Sequence, residues 1–276
     1  MRYPDLDPDA GEPEFDNLAQ LREHRKRRLA LGYRIFAAMR YGSLGDGHIT
    51  ARDPQRTDHF WLARYGVPFG QVSVDDLVLV APDGSIAEGH GWINPAAYYI
   101  HAPIHEARPD IVSAAHTHTP YGTPFAAQAR LLEPISQESC TFFEDHALFD
   151  DEEVDIASTD GGKRIAAALG TTKAVILRNH GPLTVGTTVD AAVGFFVQLE
   201  RAAEVHVKVA DATPISAQAA RAAYRLVGSE QTGRQLFEWL LRSTGQDPDA
   251  VLTNSTPSDS AAGAPTAPAA HISRTG

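Results

Sequence analysis

The sequence has a single cysteine, Cys140, in 276 residues. That excludes an intramolecular disulfide, and the surrounding SQESCTFFED supplies no cation to lower the thiol pKa. No apolar run reaches the roughly 18 residues that a membrane helix needs. The start, MRYPDLDPDAGEPEFDN, is acidic and proline-punctuated where a targeting segment would be basic and apolar. A soluble, cytoplasmic protein with no membrane partner is therefore expected. Positive charge is also scarce, with 24 Lys and Arg against 35 Asp and Glu and a formal net charge of −11. Phosphate neutralisation needs a basic face, so no nucleic-acid partner is expected. The one basic cluster, RKRRL at 25–29, lies in a helical pattern and reads as a solvated face. Small molecules are the expected partners. Apolar residues make up 43% of the chain, enough for a substantial core.

Apolar spacing predicts a long first helix from Phe15 to Met39, ending before the glycines at 42, 45 and 47. Strands follow at HITAR (48–52), HFWLAR (59–64) and DLVLVAPDGSIAEG (76–89), the last folded at its PDG turn. A helix at 96–110 and a buried strand at 111–118 come next, then a strand at 141–149, a helix at 161–170 and a strand at 174–179. Helices at 189–210, 215–226 and 229–243 close the globule. Residues 1–245 read as one domain. From 246 to 276 the composition falls to Ser, Thr, Pro, Ala and Asn, which predicts a disordered tail.

The stretch AAHTHTPYG at 114–122 carries the chemistry. Side chains two apart on a strand share a face, so His116 and His118 project together as a metal-chelating pair. The competing reading is a pair of hydrogen-bonded core histidines. A third ligand should end another strand, and AVILRN runs directly into His180, with Gly181 allowing a sharp turn. Three neutral imidazoles hold a divalent ion and leave positions for substrate or water. His101 and His105, four apart on the preceding helix, share a face and can support the ligands from behind, or else pair with Glu106 or Asp110.

With IHAPIHEARPDIVSAAHTHTPYGTPFAA, then LRNHGPLTVG, then a long helix carrying LERAAEVHV, the chain resembles the class II aldolase/adducin family over roughly 30–210. The resemblance implies an α/β protein with an αβα fold, a central mainly antiparallel sheet flanked by helices, and a homotetramer with active sites near subunit interfaces. It also implies that His116, His118 and His180 ligate the metal.

The chain departs from the sugar-phosphate aldolases of that family in two places. Their proton-transferring acid, four residues before the histidine matching His101, is here Ala97, which cannot move a proton. Their phosphate loops are replaced by GSLGDGHITARDP and YGVPFG, where Asp46 repels a phosphate. Aromatic residues gather upstream at Phe60, Trp61, Tyr65, Phe69, Trp92, Tyr98 and Tyr99, pointing to an apolar or aromatic ligand, with ordinary core packing as the competing reading. A three-histidine set without carboxylate suits an anionic 2-oxo acid, and Fe(II) so held can activate dioxygen. Within the family the chain looks most like the aminocoumarin-pathway non-haem iron oxygenases, which implies Fe(2+) as cofactor and dioxygen as co-substrate. The substrate implied is a small aromatic 2-oxo acid, a prenylated 4-hydroxyphenylpyruvate, converted by oxidative decarboxylation through a mandelate to a prenylated 4-hydroxybenzoate. His101, Tyr98, Tyr99, Gln137 and Glu138 are then candidates for orienting it. The alternatives are a lyase using Zn(2+) as Lewis acid, with its base among His101, His105 and Glu106, and a non-enzymatic adducin-like scaffold.

Overall fold

The computed structural model describes residues 12–42 and 44–252. Helix α1 (Leu18–Ala38) starts at Asn17, whose Oδ1 accepts from the amides of Ala19 and Gln20, and it ends ahead of Arg40 at φ +63°. The remaining elements are β1 (Gly47–Arg52), β2 (Phe60–Ala63), β3 (Leu77–Val80), β4 (Ile86–Glu88), α2 (Pro95–Ala107), β5 (Ser113–Thr117), α3 (Gly122–Ala126), α4 (Gln137–Cys140), β6 (Ala147–Phe149), α5 (Thr159–Leu169), β7 (Ala174–Leu177), β8 (Gly181–Gly186), α6 (Val189–Lys208), α7 (Ala217–Val227) and α8 (Glu230–Thr244). Among the described residues no helix is long and apolar enough to cross a membrane.

The eight strands form one sheet in the order β4-β3-β2-β1-β5-β8-β7-β6, antiparallel except for the parallel β6–β7 pair. Helices cover both faces, giving the αβα sandwich. Strand β7 shows how period-two alternation builds it: Val175 and Leu177 join the cluster with Ile100, Ile104 and Ile165 of α2 and α5, while Ala174 and Ile176 join Phe195 and Leu199 of α6. Likewise Ile49 and Ala51 of β1 pack with α1, α6 and α8. That leaves His48 and Thr50 on the α2 face. Strand β5 pairs with β1 so that His48 stands opposite His116, and with β8 so that His116 stands opposite Leu183.

The expected strand at 141–149 is shorter than its composition suggests. Ser136 and Ser139 form a reciprocal cap that starts helix α4, Glu144 sits at φ +58°, and His146 Nδ1 donates to Phe142 O at 2.6 Å. The chain therefore turns until Ala147. Strand β8 was not expected at all. The basic cluster is also no free solvated face: Arg25 donates to Glu12 and to Arg52 O, and Arg28 reaches both Asp190 and Glu238. Finally, the globule runs past 245, because Pro248–Val251 forms a 3₁₀ turn with Val251 buried in the α1 cluster. Residues 253–276 of the expected tail lie outside the described residues.

Candidate metal centre

His116 is on β5, buried, and His118 lies one residue beyond the strand end with 41% of its side chain exposed. His180 closes the tight β7–β8 connection, its amide bonded to Leu177 O at 3.0 Å. Asn179, not Gly181, makes the left-handed turn there, at φ +56°, while Gly181 begins β8. Because β8 neighbours β5, this hairpin tip arrives at the C-terminal end of β5. One ring nitrogen from each of the three histidines lies within 4.8 Å of the others. The ring planes stand 79° to 90° apart, with centroids separated by 4.8 to 5.6 Å, so the rings converge edge-on.

The donor set fits a divalent ion. His116 Nδ1 lies 2.8 Å from the Pro182 carbonyl and must donate to it, which leaves Nε2 with a free lone pair. Burial pushes the His116 pKa well below the imidazole range, helped by His180, His48 and His118. Burial and then His118 lower His180 to about 4. Both are held neutral, the form that ligates. His118 Nδ1 is 3.7 Å from Asp46 Oδ2, while Asp46 O accepts from the His118 amide and from Thr117 Oγ1 at 2.8 Å. The residue expected to repel phosphate thus secures the His118 segment. Gly47 is required beside it, since a Cβ there would lie 2.3 Å from Thr117 Oγ1.

The turn after His118 is anchored from the opposite helix layer. Buried Glu200 of α6 accepts from Thr119 Oγ1 at 2.5 Å, from Gly122 N at 2.6 Å and from Tyr121 N at 2.9 Å. Burial pushes its pKa up, and these three donors pull it back.

Behind the three histidines lies a chain of buried polar groups. The His48 ring sits 5.1 Å from that of His116, and its Nδ1 is 2.7 Å from His101 Nε2. Thr50 Oγ1 is 2.7 Å from His101 Nδ1 and 2.9 Å from His105 Nε2. His105 is stacked on Phe60, its pKa lowered to about 3 by burial and Arg52, and its Nδ1 is buried with no partner. His101 and His105 do share a face, as their spacing implied. His48 and Thr50 were missed, although the same two-residue rule applies to them; only the β1–β5 register, invisible in the sequence, places them here.

His48 also lines a cavity of about 390 Å³. Its wall includes Tyr33, Tyr41, Phe69, Leu62, Val67 and Ala97. Of the aromatic residues expected to meet a ligand, only Tyr65 and Phe69 line it; α1 supplies Tyr33 unexpectedly. The other orienting candidates lie elsewhere. Tyr98 OH donates to Pro82 O at 2.8 Å, and Tyr99 packs into the α2–α5 cluster. Gln137 is exposed, and Glu138 lies 3.4 Å from Arg201 on α6. The reason is the cap at Ser136, which turns a predicted strand approach into a helix on the α6 side of the sheet. Glu106 is exposed on α2.

A family model for the class II aldolase and adducin N-terminal domain matches residues 27–207. The chain belongs to the class II aldolase and adducin family. It is 39% identical over 244 residues to 4-hydroxy-3-prenylphenylpyruvate oxygenase/4-hydroxy-3-prenylbenzoate synthase of Streptomyces roseochromogenus subsp. oscitans, covering 86% of this chain and 88% of that protein. It is 40% identical to decarboxylase NovR of Streptomyces niveus, covering 86% and 90%. Among solved structures, L-fuculose 1-phosphate aldolase from Glaciozyma antarctica PI12 superimposes with a TM-score of 0.80 at 33% identity, over 88% of this chain and 97% of that one.

Proposed function

We propose that the protein is a non-haem Fe(II) oxygenase that converts a prenylated 4-hydroxyphenylpyruvate, through a mandelate, to a prenylated 4-hydroxybenzoate in aminocoumarin antibiotic biosynthesis. One observation carries the reading: a three-histidine, carboxylate-free cluster stands one ring, His48, away from an aromatic-lined cavity in which the family's acid position is Ala97. The name borne by the Streptomyces roseochromogenus relative supports the substrate class, and that of the Streptomyces niveus relative supports a decarboxylation. His116, His118 and His180 hold the ion, which supplies a docking point for the acid's oxygens and for dioxygen. The aromatic body of the substrate lies against Tyr33, Tyr41 and Phe69, and these walls keep water from the reacting carbons. His101 acts through His48 as a positioning residue. The balance is one dioxygen in and one carbon dioxide out for the mandelate, then a second of each, with water, for the benzoate. Aldol chemistry lacks support because Ala97 has no proton to move. The family resemblance carries a homotetramer as part of this proposal.

The test is oxygen uptake by anaerobically purified protein loaded with iron(II), supplied with prenylated and unprenylated 4-hydroxyphenylpyruvate. Uptake matched by carbon dioxide release and a benzoate product is expected. No uptake by protein that holds zinc tightly would overturn the oxygenase and favour a lyase.

A further inference from the structure

We propose that His48 Nε2 is the hydrogen-bonding contact for the oxygen-bearing end of an aromatic 2-oxo or 2-hydroxy acid in the cavity, and that the buried chain behind it lets this one nitrogen either donate or accept. The substrate class rests on the oxygenase reading; the device rests on the bonds.

His48 lines the cavity while its ring also touches His116, so it stands where cavity and histidine cluster meet. Its Nδ1 is engaged by His101, which leaves Nε2 as the atom free to meet a ligand. Donor counting allows two arrangements behind it. In the first, His105 Nε2–H donates to Thr50 Oγ1, the Thr50 hydroxyl donates to His101 Nδ1, and His101 Nε2–H donates to His48 Nδ1. His48 then carries its proton on Nε2 and is a donor toward the cavity. In the second, every bond is reversed: His48 Nδ1–H donates to His101 Nε2, His101 Nδ1–H to Thr50 Oγ1, and the Thr50 hydroxyl to His105 Nε2. His48 Nε2 is then a bare acceptor.

All three imidazoles are neutral in both arrangements, so the reversal changes no net charge in a buried place. Two features leave it free to occur. Thr50 Oγ1 donates and accepts through one atom, so its hydroxyl can turn either way between His101 and His105, and its other contact, Ala114 O at 3.4 Å, is too long to compete well. The far end, His105 Nδ1, has no partner and so does not fix the direction. Such adaptability suits the proposed sequence, whose first substrate offers only acceptor oxygens at its acid end, whereas the 2-hydroxy acid that follows also offers a donor.

The experiment uses zinc-loaded protein kept free of oxygen, so that no oxygenase turnover can occur, with 4-hydroxyphenylpyruvate and 4-hydroxymandelate as probes in calorimetry. His48→Phe should weaken both by about tenfold, the worth of one hydrogen bond to a buried polar group, with unchanged zinc stoichiometry. Thr50→Val, remote from the ligand, should weaken at least one of them by a similar factor. In ¹⁵N-histidine spectra of the wild type, exchanging one probe for the other should move the His48, His101 and His105 nitrogens together. Dissociation constants unchanged in both variants, histidine signals that the probes leave unmoved, or no binding of either probe by the wild type would each overturn the proposal. Failure of the oxygenase reading looks different: iron-loaded wild type that binds the probes yet consumes no oxygen.

Discussion

His101 and His105 lie fully inside the α2–sheet interface, and burial first of all lowers both pKa values, His105 to about 3. An unfolded chain protonates these imidazoles near pH 6.5 while the native state does not, so the unfolded state binds more protons below that pH. Stability is thus intact above about pH 6.5 and falls as pH drops toward the native values, by roughly 1.4 kcal/mol per pH unit for each such histidine. Urea denaturation of the metal-free protein at pH 7 and pH 5 checks this, and equal midpoints would contradict it. Glu200 gives a second residue-scale prediction. Glu200→Gln places an amide NH₂ among three donors, so a loss of about 2 kcal/mol is expected. Because the turn it holds begins right after His118, metal retention on dialysis should fall too. His116, His118 and His180 were legible because strand ends and two-residue spacing are local; Glu200 was not, since its partners lie some 80 positions away in the chain.

At the scale of elements, helix crossings depend on glycines. A Cβ on Gly162 of α5 would lie 1.8 Å from Tyr99 O of α2, so the two backbones touch. Helix propensity alone favours alanine there by about 1 kcal/mol. The overlap is with backbone and cannot be relieved by a rotamer change, so Gly162→Ala should destabilise by about 1–3 kcal/mol net. Thermal unfolding decides the sign. The shift should also displace α2 and weaken His101's support of His48. The six long helices and most strands could be read from periodicity and caps, but the short α3 and α4 could not. The exceptions each have a physical cause: 141–146 is apolar because it fills the α6 layer, as Phe142 does, not because it pairs, and pairing starts only at Ala147. Strand β8, GPLTVG, opens with Gly and Pro, which conceal an interior strand from propensity.

At the scale of the molecule, the fold class was readable but the strand order was not, because β1–β5 and β5–β8 pairings join segments far apart in the chain. The boundary at 245 failed for a simpler reason: one buried Val251 outweighs the polar composition around it. Truncation after 245 should therefore cost the roughly 2 kcal/mol of a buried valine and lower the thermal midpoint, whereas truncation after 252 should leave both midpoint and turnover unchanged. The anchoring of α1 has a further consequence during synthesis. Arg28 bonds to Asp190 and Glu238, partners 162 and 210 residues later, and Val251 packs on the same helix. Helix α1 must wait for segments made about 160 to 220 residues after it. Nascent chains halted before α6 should keep α1 open to protease, so this sandwich closes only after α6 and α8 have been made.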